Sequence, residues 1–198
     1  YIRGYAGVTD LQGRLTVDGS SLSPRLTGFL GDGKFTLGGH LKTDRFRPVE
    51  FDLSLKGTNL THARTNAYRV DFDADVTLKG RLPSPRLEGR IDLVDGRYTK
   101  PFVVRDLVLK PFEDQGEPGS WQDRLKDVGL DLTIKNSGDL RIRNNVADLY
   151  LRADLQVQGT QGRPRIGGAL VVTDGTIHYL GQDFVLSEGR LEYIDPAK

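Results

Sequence analysis

The sequence predicts an all-β fold of repeated amphipathic antiparallel strands, and three observations predict it. Apolar and charged residues alternate with a period of two over long stretches. The 24 Gly and 9 Pro fall between those stretches, as turns between many strands require. One segment of fixed pattern occurs three times, which is the mark of a repeated supersecondary unit rather than of a single catalytic pocket.

The clearest strands come first. Val70, Phe72, Ala74, Val76 and Leu78 alternate with Asp71, Asp73, Asp75, Thr77 and Lys79. Leu149, Leu151, Ala153, Leu155 and Val157 alternate with Tyr150, Arg152, Asp154, Gln156 and Gln158. Shorter versions are Phe51-Leu53-Leu55, Leu130-Leu132-Ile134, Leu140-Ile142 and Leu191-Tyr193. Successive side chains of a strand point to opposite faces, so each segment has one apolar and one charged face. Turn signals separate the segments: Asp32-Gly33, Asp95-Gly96, Asp174-Gly175, Asn136-Ser137-Gly138 and Asn144-Asn145.

The repeated segment reads Gly, four residues, Pro-Arg, an aliphatic residue, one residue, Gly. Its copies run Gly19 to Gly28, Gly80 to Gly89 and Gly159 to Gly168. Copies two and three align without a gap at a spacing of 79 residues, including Asp95-Gly96 and Asp174-Gly175. Copy one lies 61 residues before copy two, and its Asp32-Gly33 arrives two residues early. The first Gly ends a strand. The Pro has no N–H for a ladder, so it belongs in a connection or at a strand start. The aliphatic residue opens the next strand, which the second Gly allows to kink and which runs on to an Asp-Gly hairpin.

One stretch breaks the pattern. Pro111 to Gly119 is loop-like, and Ser120 to Asp127 has the signals of a short helix capped by Ser120, with Trp121 and Leu125 on one side. The chain is therefore expected to be a single elongated β-repeat unit over 1–198. Its repeats fall at about 5–60, 66–110 and 128–195, with a loop or short helix at 111–127.

Composition removes several functions. The net charge is +1, so no long-range field favours nucleic acid or an anionic membrane. Without Cys there is no disulfide, thiol catalysis or Cys-based zinc site. No apolar run of about 18 residues forms a membrane-spanning helix. The chain begins at Tyr1, lacks Met and shows no signal peptide, so it is expected to be a piece of a longer protein. A sheet with one apolar face must cover that face with a second sheet, by closure, or with a membrane or an apolar ligand.

The order from Gly159 through Pro164-Arg165-Ile166, Leu170-Val-Val172, Asp174-Gly175, Ile177, Tyr179 and Leu180-Gly181 to Phe184, Leu186, Gly189, Leu191 and Tyr193 resembles the repeat of the TamB family. These are AsmA-like proteins of the translocation and assembly module of diderm bacteria. The resemblance covers most of 70–195 and, more loosely, 5–60, where Gly38-Gly39 replaces the apolar continuation. It implies an elongated, curled sheet (a β-taco) with a hydrophobic groove. It also implies a periplasmic location, in a protein anchored in the inner membrane by a segment outside this chain. The implied partners are phospholipid, an Omp85-type outer-membrane barrel and nascent outer-membrane proteins. The implied function is to bind and conduct phospholipid between the inner and outer membranes, without catalysis and without a cofactor. The alternative is a scaffold for outer-membrane β-barrel assembly by strand addition at an open edge.

The residues expected to line the groove are the apolar faces of the strands. They are Phe51, Leu53, Leu55, Val70, Phe72, Val76, Leu78, Ile91, Leu93, Leu130, Leu132, Ile134, Leu149, Leu151, Leu155, Val157, Leu170, Val172, Phe184, Leu186 and Leu191. The plainer alternative is that they form an ordinary sandwich core.

Other candidates carry less. Asp71, Asp73 and Asp75 share one strand face, where a hard cation would bind, but no loop Gly or closing Glu accompanies them, so a solvated face is expected. His40, His62 and His178 lack metal-ligand spacing. No nucleophile motif, phosphate loop or carboxylate pair appears, and no clustered acids support a polysaccharide hydrolase. Arg25, Arg86 and Arg165 follow the three Pro residues and are expected in solvated turns or along one rim. A transmembrane barrel lacks its aromatic girdles here, and many strands read as too short to span.

Overall fold

A computed structural model describes residues 7–45, 47–102 and 127–193. Eleven strands form one sheet in the order β1-β2-β3-β4-β5-β6-β7-β8-β9-β10, with β11 also paired to β9. They are β1 (Val8–Asp18), β2 (Ser21–Leu30), β3 (Gly33–Asp44), β4 (Arg47–Arg64), β5 (Tyr68–Arg81) and β6 (Arg86–Tyr98). After these come β7 (Gly129–Arg143), β8 (Ala147–Thr160), β9 (Arg163–Tyr179), β10 (Gln182–Val185) and β11 (Gly189–Tyr193). The expected all-β sheet of amphipathic strands is what forms. The expected short helix and Pro111 loop lie outside the described residues, apart from Asp127.

The three copies of the Gly-x4-Pro-Arg segment fall at corners on one end of the sheet, but only Pro85 lies in the connection: Pro24 and Pro164 are already inside β2 and β9, paired with Leu15 and Gly159, and β2 opens at Ser21 rather than at Leu26. They make the turns β1–β2, β5–β6 and β8–β9. The first Gly of each copy has φ of +55°, +109° and +96° at Gly19, Gly80 and Gly159, a region that a side chain disfavours. Pro85 is fully buried at the second corner.

The Asp-Gly signals divide. Asp32-Gly33 closes the β2–β3 hairpin as expected, and Asn144-Asn145 lies in the β7–β8 turn. Asp95-Gly96 and Asp174-Gly175 do not turn the chain: they lie inside β6 and β9. Their Gly residues serve close approach instead. A Cβ on Gly96 would lie 2.5 Å from Leu140 Cδ1, and one on Gly175 would meet the Asp148 carbonyl oxygen.

Asn136-Ser137-Gly138 is not a turn either, and β7 is one strand of 15 residues. The register with β8 shifts between Lys135 and Leu140. The Asn136 side chain spans the gap by accepting from Ala153 N–H at 2.6 Å and donating to the Gly138 and Leu151 carbonyls at 2.8 and 3.2 Å. An amide with both donors and an acceptor thus stands in for missing ladder bonds.

Neighbouring strands are antiparallel throughout, except that β6 and β7 run parallel. Parallel neighbours cannot be joined by a tight turn and need a crossover of a dozen or more residues. Tyr98 at the end of β6 and Gly129 at the start of β7 are 31 positions apart, long enough for one. The crossover leaves beside the β7–β8 turn, where Phe102 N–H donates to Asn145 Oδ1 at 2.6 Å. It returns beside the β8–β9 corner, where Gln161 N–H donates to the Val128 carbonyl at 2.9 Å.

The sheet is a single layer. Apart from sheet neighbours, only β2 and β4 are in substantial contact among the described residues. Strands β1 and β10 do not pair, so these strands do not close into a barrel. Strands of 10 to 18 residues over β1–β9 are long, so length does not argue against spanning as the sequence suggested. Among the described residues the one buried apolar cluster is Phe35, Leu60 and Ala74, with Leu30, Leu55 and Phe72 against it. It forms where β4 bulges between Gly57 and Leu60. Asn59, at φ +53°, turns its N–H onto Asp73 Oδ1 at 2.7 Å there.

Adjacent glycines give a test of the bends. Gly168 has φ +99° and a Cβ there would meet the Asp154 carbonyl oxygen, whereas Gly167 has open space. Gly168→Ala is expected to cost about 3 kcal/mol in chemical denaturation, and Gly167→Ala less than about 0.5 kcal/mol. Asn136→Ala, which strands Ala153 N–H, is expected to cost about 2 kcal/mol in the same assay.

Candidate functional site

Residues directly opposite across a ladder share a face, so register alone traces the apolar surface. One row runs Leu37, Leu55, Val76, Gly89, Leu132, Val157, Ile166. The next runs Phe35, Gly57, Ala74, Ile91, Ile134, Leu155, Gly168, Tyr193. On the other side of the first lies the row Leu53, Leu78, Leu87, Leu130. Beyond Phe72 and Leu93 comes the row Val70, Gly96, Leu140, Leu151, Val172, Gly189.

The 21 residues expected to line a groove therefore fall on one face. Phe51 opposes Leu41, Leu149 opposes Ile142, Leu170 lies between Ala153 and Leu191, and Phe184 opposes Ile177. Leu186 lies between β10 and β11, with its Cδ2 near the Gly189 and Val172 positions. Most are half-buried, while Phe184 and Leu191 are 51% and 55% exposed.

Several residues of this face escaped the sequence. Leu22, Leu26, Leu37, Leu41 and Leu87 belong to it, and Leu140, read from the sequence as part of an alternating strand but not as a groove residue, joins them. Gly38-Gly39 interrupts the alternation in β3, which hid Leu37 and Leu41. Leu15 and Val17 sit on β1, whose every residue is exposed. The face continues over nine strand spacings, or about 43 Å at about 4.8 Å each.

The opposite face is charged and self-paired. Lys56–Asp75, Lys135–Asp154 and Arg86–Asp131 bridge neighbouring strands at 3.0, 3.1 and 2.5 Å. Arg86 is thus engaged by a carboxylate. Arg25 and Arg165 lie on one row of this face, through Gly38, Ser54, Thr77, Glu88, Asp131 and Gln158, rather than on a rim.

The three aspartates of β5 part company. Asp75 is solvated as expected, but Asp71 is buried. Thr61 Oγ1 donates to it at 2.6 Å and Arg69 Nε at 3.1 Å, while Arg69 also reaches Asp32 at 3.6 Å. The set ties the β2–β3 hairpin to β5. Its bond to Asp71 raises the Arg69 pKa further. No group of three or more His, Asp or Glu among the described residues is arranged to hold a metal. His40 bonds Ser23, His62 bonds Tyr68 and His178 bonds Asp183.

Near the β7–β8 turn, Arg141 grips Asp148 through two bonds of 2.6 Å and stacks at 4.9 Å over Tyr150. That hydrogen bond, aided by the charges of Arg141 and Arg143, holds the Asp148 carboxyl below its ordinary value.

The family model of the TamB C-terminal domain matches residues 24–198. The chain belongs to this family. No solved structure matches the chain. The TamB match extends from within β2 through the last strand, so it covers the repeated corners at Pro85 and Pro164 and begins at Pro24 of the first. TamB domains are non-enzymatic components of the translocation and assembly module in the bacterial envelope, where the family works with an Omp85-type outer-membrane partner. Among the described residues, no helix is long and apolar enough to cross a membrane.

The depressed Asp148 value has a pH signature. Its contribution to stability is present above the unfolded carboxylate value of about 4 and is lost as pH falls through the lower folded value. Asp148→Asn is therefore expected to lower the denaturation midpoint at neutral pH. The gap from the unsubstituted protein should close progressively below about pH 4.

Proposed function

We propose that the apolar face is a lipid-carrying trough through which the protein conducts phospholipid between the inner and outer membranes. A segment outside this chain would hold it at the inner membrane. The observation that supports this is the continuous, half-buried apolar surface across β3 to β9 with no second layer over it among the described residues. A water-facing apolar surface of that extent marks a binding surface. An acyl chain laid on it loses water contact at about 0.8 kcal/mol per CH₂. Rows of Leu, Ile and Val repeat from strand to strand, so each displacement by one strand exchanges one such contact for another. From β3 to β9 this surface crosses six strand spacings, about 29 Å, which exceeds half the thickness of a bilayer core about 30 Å across.

A second reading has its own observation. All 11 residues of β1 are exposed, and its outer edge is unpaired among the described residues. Such an edge accepts a further strand, which suits a scaffold for nascent outer-membrane β-proteins. Crosslinks from β1 to client strands, insensitive to charge in the trough, would favour it.

The test of the lipid reading is native mass spectrometry of the purified chain with lipid extraction of the same sample. Bound phospholipid is expected. Leu132→Asp or Leu151→Asp, each with circular dichroism unchanged, is expected to remove at least about nine-tenths of it, since one buried charge costs more than several CH₂ contacts supply. A folded chain without lipid would refute the trough.

A further inference from the structure

We propose that the end of the trough formed by the β4–β5 hairpin and the chain leaving β6 is a headgroup site for anionic phospholipid, with Arg64 and Lys100 as its cations. This rests on the lipid-carrying reading of the apolar face.

The two ends of that face differ. At the β1–β2 and β3–β4 end its outermost row is Val17, Leu22, Leu41 and Phe51. At the β4–β5 end the same face passes from Leu60 and Phe72 to His62 opposite Val70, then to Arg64 opposite Tyr68. Tyr68 in turn opposes Tyr98, and Tyr98 opposes Ile142. Aliphatic rows thus end in a cation, an imidazole and two phenols on the apolar side of the sheet. Tyrosine and arginine combine apolar bodies with polar tips and settle where hydrocarbon meets water.

This end is held in place by its backbone. Ala67 N–H donates to the Arg64 carbonyl at 3.0 Å, and the Ala67 carbonyl accepts from Thr99 and Lys100 N–H at 2.8 and 3.2 Å. Lys100 is therefore fixed beside the hairpin that carries Arg64. The Tyr68 hydroxyl is bonded to His62 Nε2 at 2.8 Å, with the two rings 5.5 Å apart. Asn145 holds the next stretch, donating to the Phe102 carbonyl at 3.0 Å.

The charges here are free to act on a ligand. Arg64 and Lys100 are exposed, and neither has a carboxylate partner among the described residues. Arg81 and Arg86, at the opposite end, are bound to Glu50 and Asp131. A guanidinium presents forked donors that match phosphate oxygens, and an ammonium adds a point charge. A phospholipid with its tails on Val70, Phe72 and Leu140 would present its phosphate to this end.

The test compares capture of phosphatidylglycerol and of diacylglycerol with the same acyl chains by the full chain, at low and high salt. The second lipid lacks only the charged headgroup. The expected result is a preference for phosphatidylglycerol that weakens with salt. Arg64→Gln and Lys100→Gln should each reduce that preference by roughly fivefold, leaving diacylglycerol capture unchanged. Equal capture of both lipids, or a preference unmoved in the Arg64→Gln/Lys100→Gln double variant, overturns the headgroup site while the trough stands. Capture of neither lipid overturns the trough and the headgroup site together.

Discussion

Everything in this structure depends on register. The apolar face exists only because each strand meets its neighbours with Leu, Ile, Val and Phe opposite one another, and a slip of one residue would send those side chains to the charged side. The sheet holds this alignment from Leu37 to Ile166 across a change of strand direction between β6 and β7. Where a strand carries an extra residue, the ladder takes it up locally. Val94 in β6 is skipped by both neighbours, so that Leu93 and Gly96 stay on the apolar side. The Thr58-Asn59 bulge in β4 does the same for Gly57 and Leu60.

A single layer has a price in stability. Few apolar side chains are fully buried among the described residues, and Phe35, Leu60 and Ala74 form the one compact cluster. Much of the cohesion therefore comes from long ladders and from side chains that repair them, such as Asn136 across the β7 bulge. The paired charges of the outer face add little individually, because exposed ion pairs are screened by water. What they do set is direction. Asp, Lys and Arg on one side and Leu, Ile, Val and Phe on the other define a charged face and an apolar one.

The ends of the sheet then divide the work. The corners built from the Gly-x4-Pro-Arg segments sit at one end of the strands, where the apolar rows stop in Leu, Val and Phe. The β4–β5 and β7–β8 turns sit at the other, where Tyr68, Tyr98, Arg64 and Lys100 gather. The long crossover joining β6 to β7 links the two ends. The TamB family assignment gives this architecture its setting in the envelope, and the geometry supplies the lipid and headgroup chemistry proposed for it.

By itself the sequence determined the alternation. From Val70 to Leu78 and from Leu149 to Val157 the strands, their faces and their apolar partners could be read directly, because strand period is a local property. The corners at Gly19, Gly80 and Gly159 were legible for the same reason: a Gly at positive φ is a local constraint. Tertiary structure decided what depends on partners distant in the chain. Asp95-Gly96 and Asp174-Gly175 look like turns until Leu140 and Leu149 lie beside them and require the missing Cβ. Asn136-Gly138 looks like a turn until the Ala153 and Leu151 backbones meet its side chain. The parallel seam between β6 and β7 pairs residues more than 40 positions apart, beyond the reach of any local pattern. The meeting of Tyr98 and Lys100 with Arg64 and Tyr68 at one end of the apolar face is of the same kind, since the pairing of Tyr68 with Tyr98 and the hydrogen bonds from Thr99 and Lys100 to the Ala67 carbonyl bring it about.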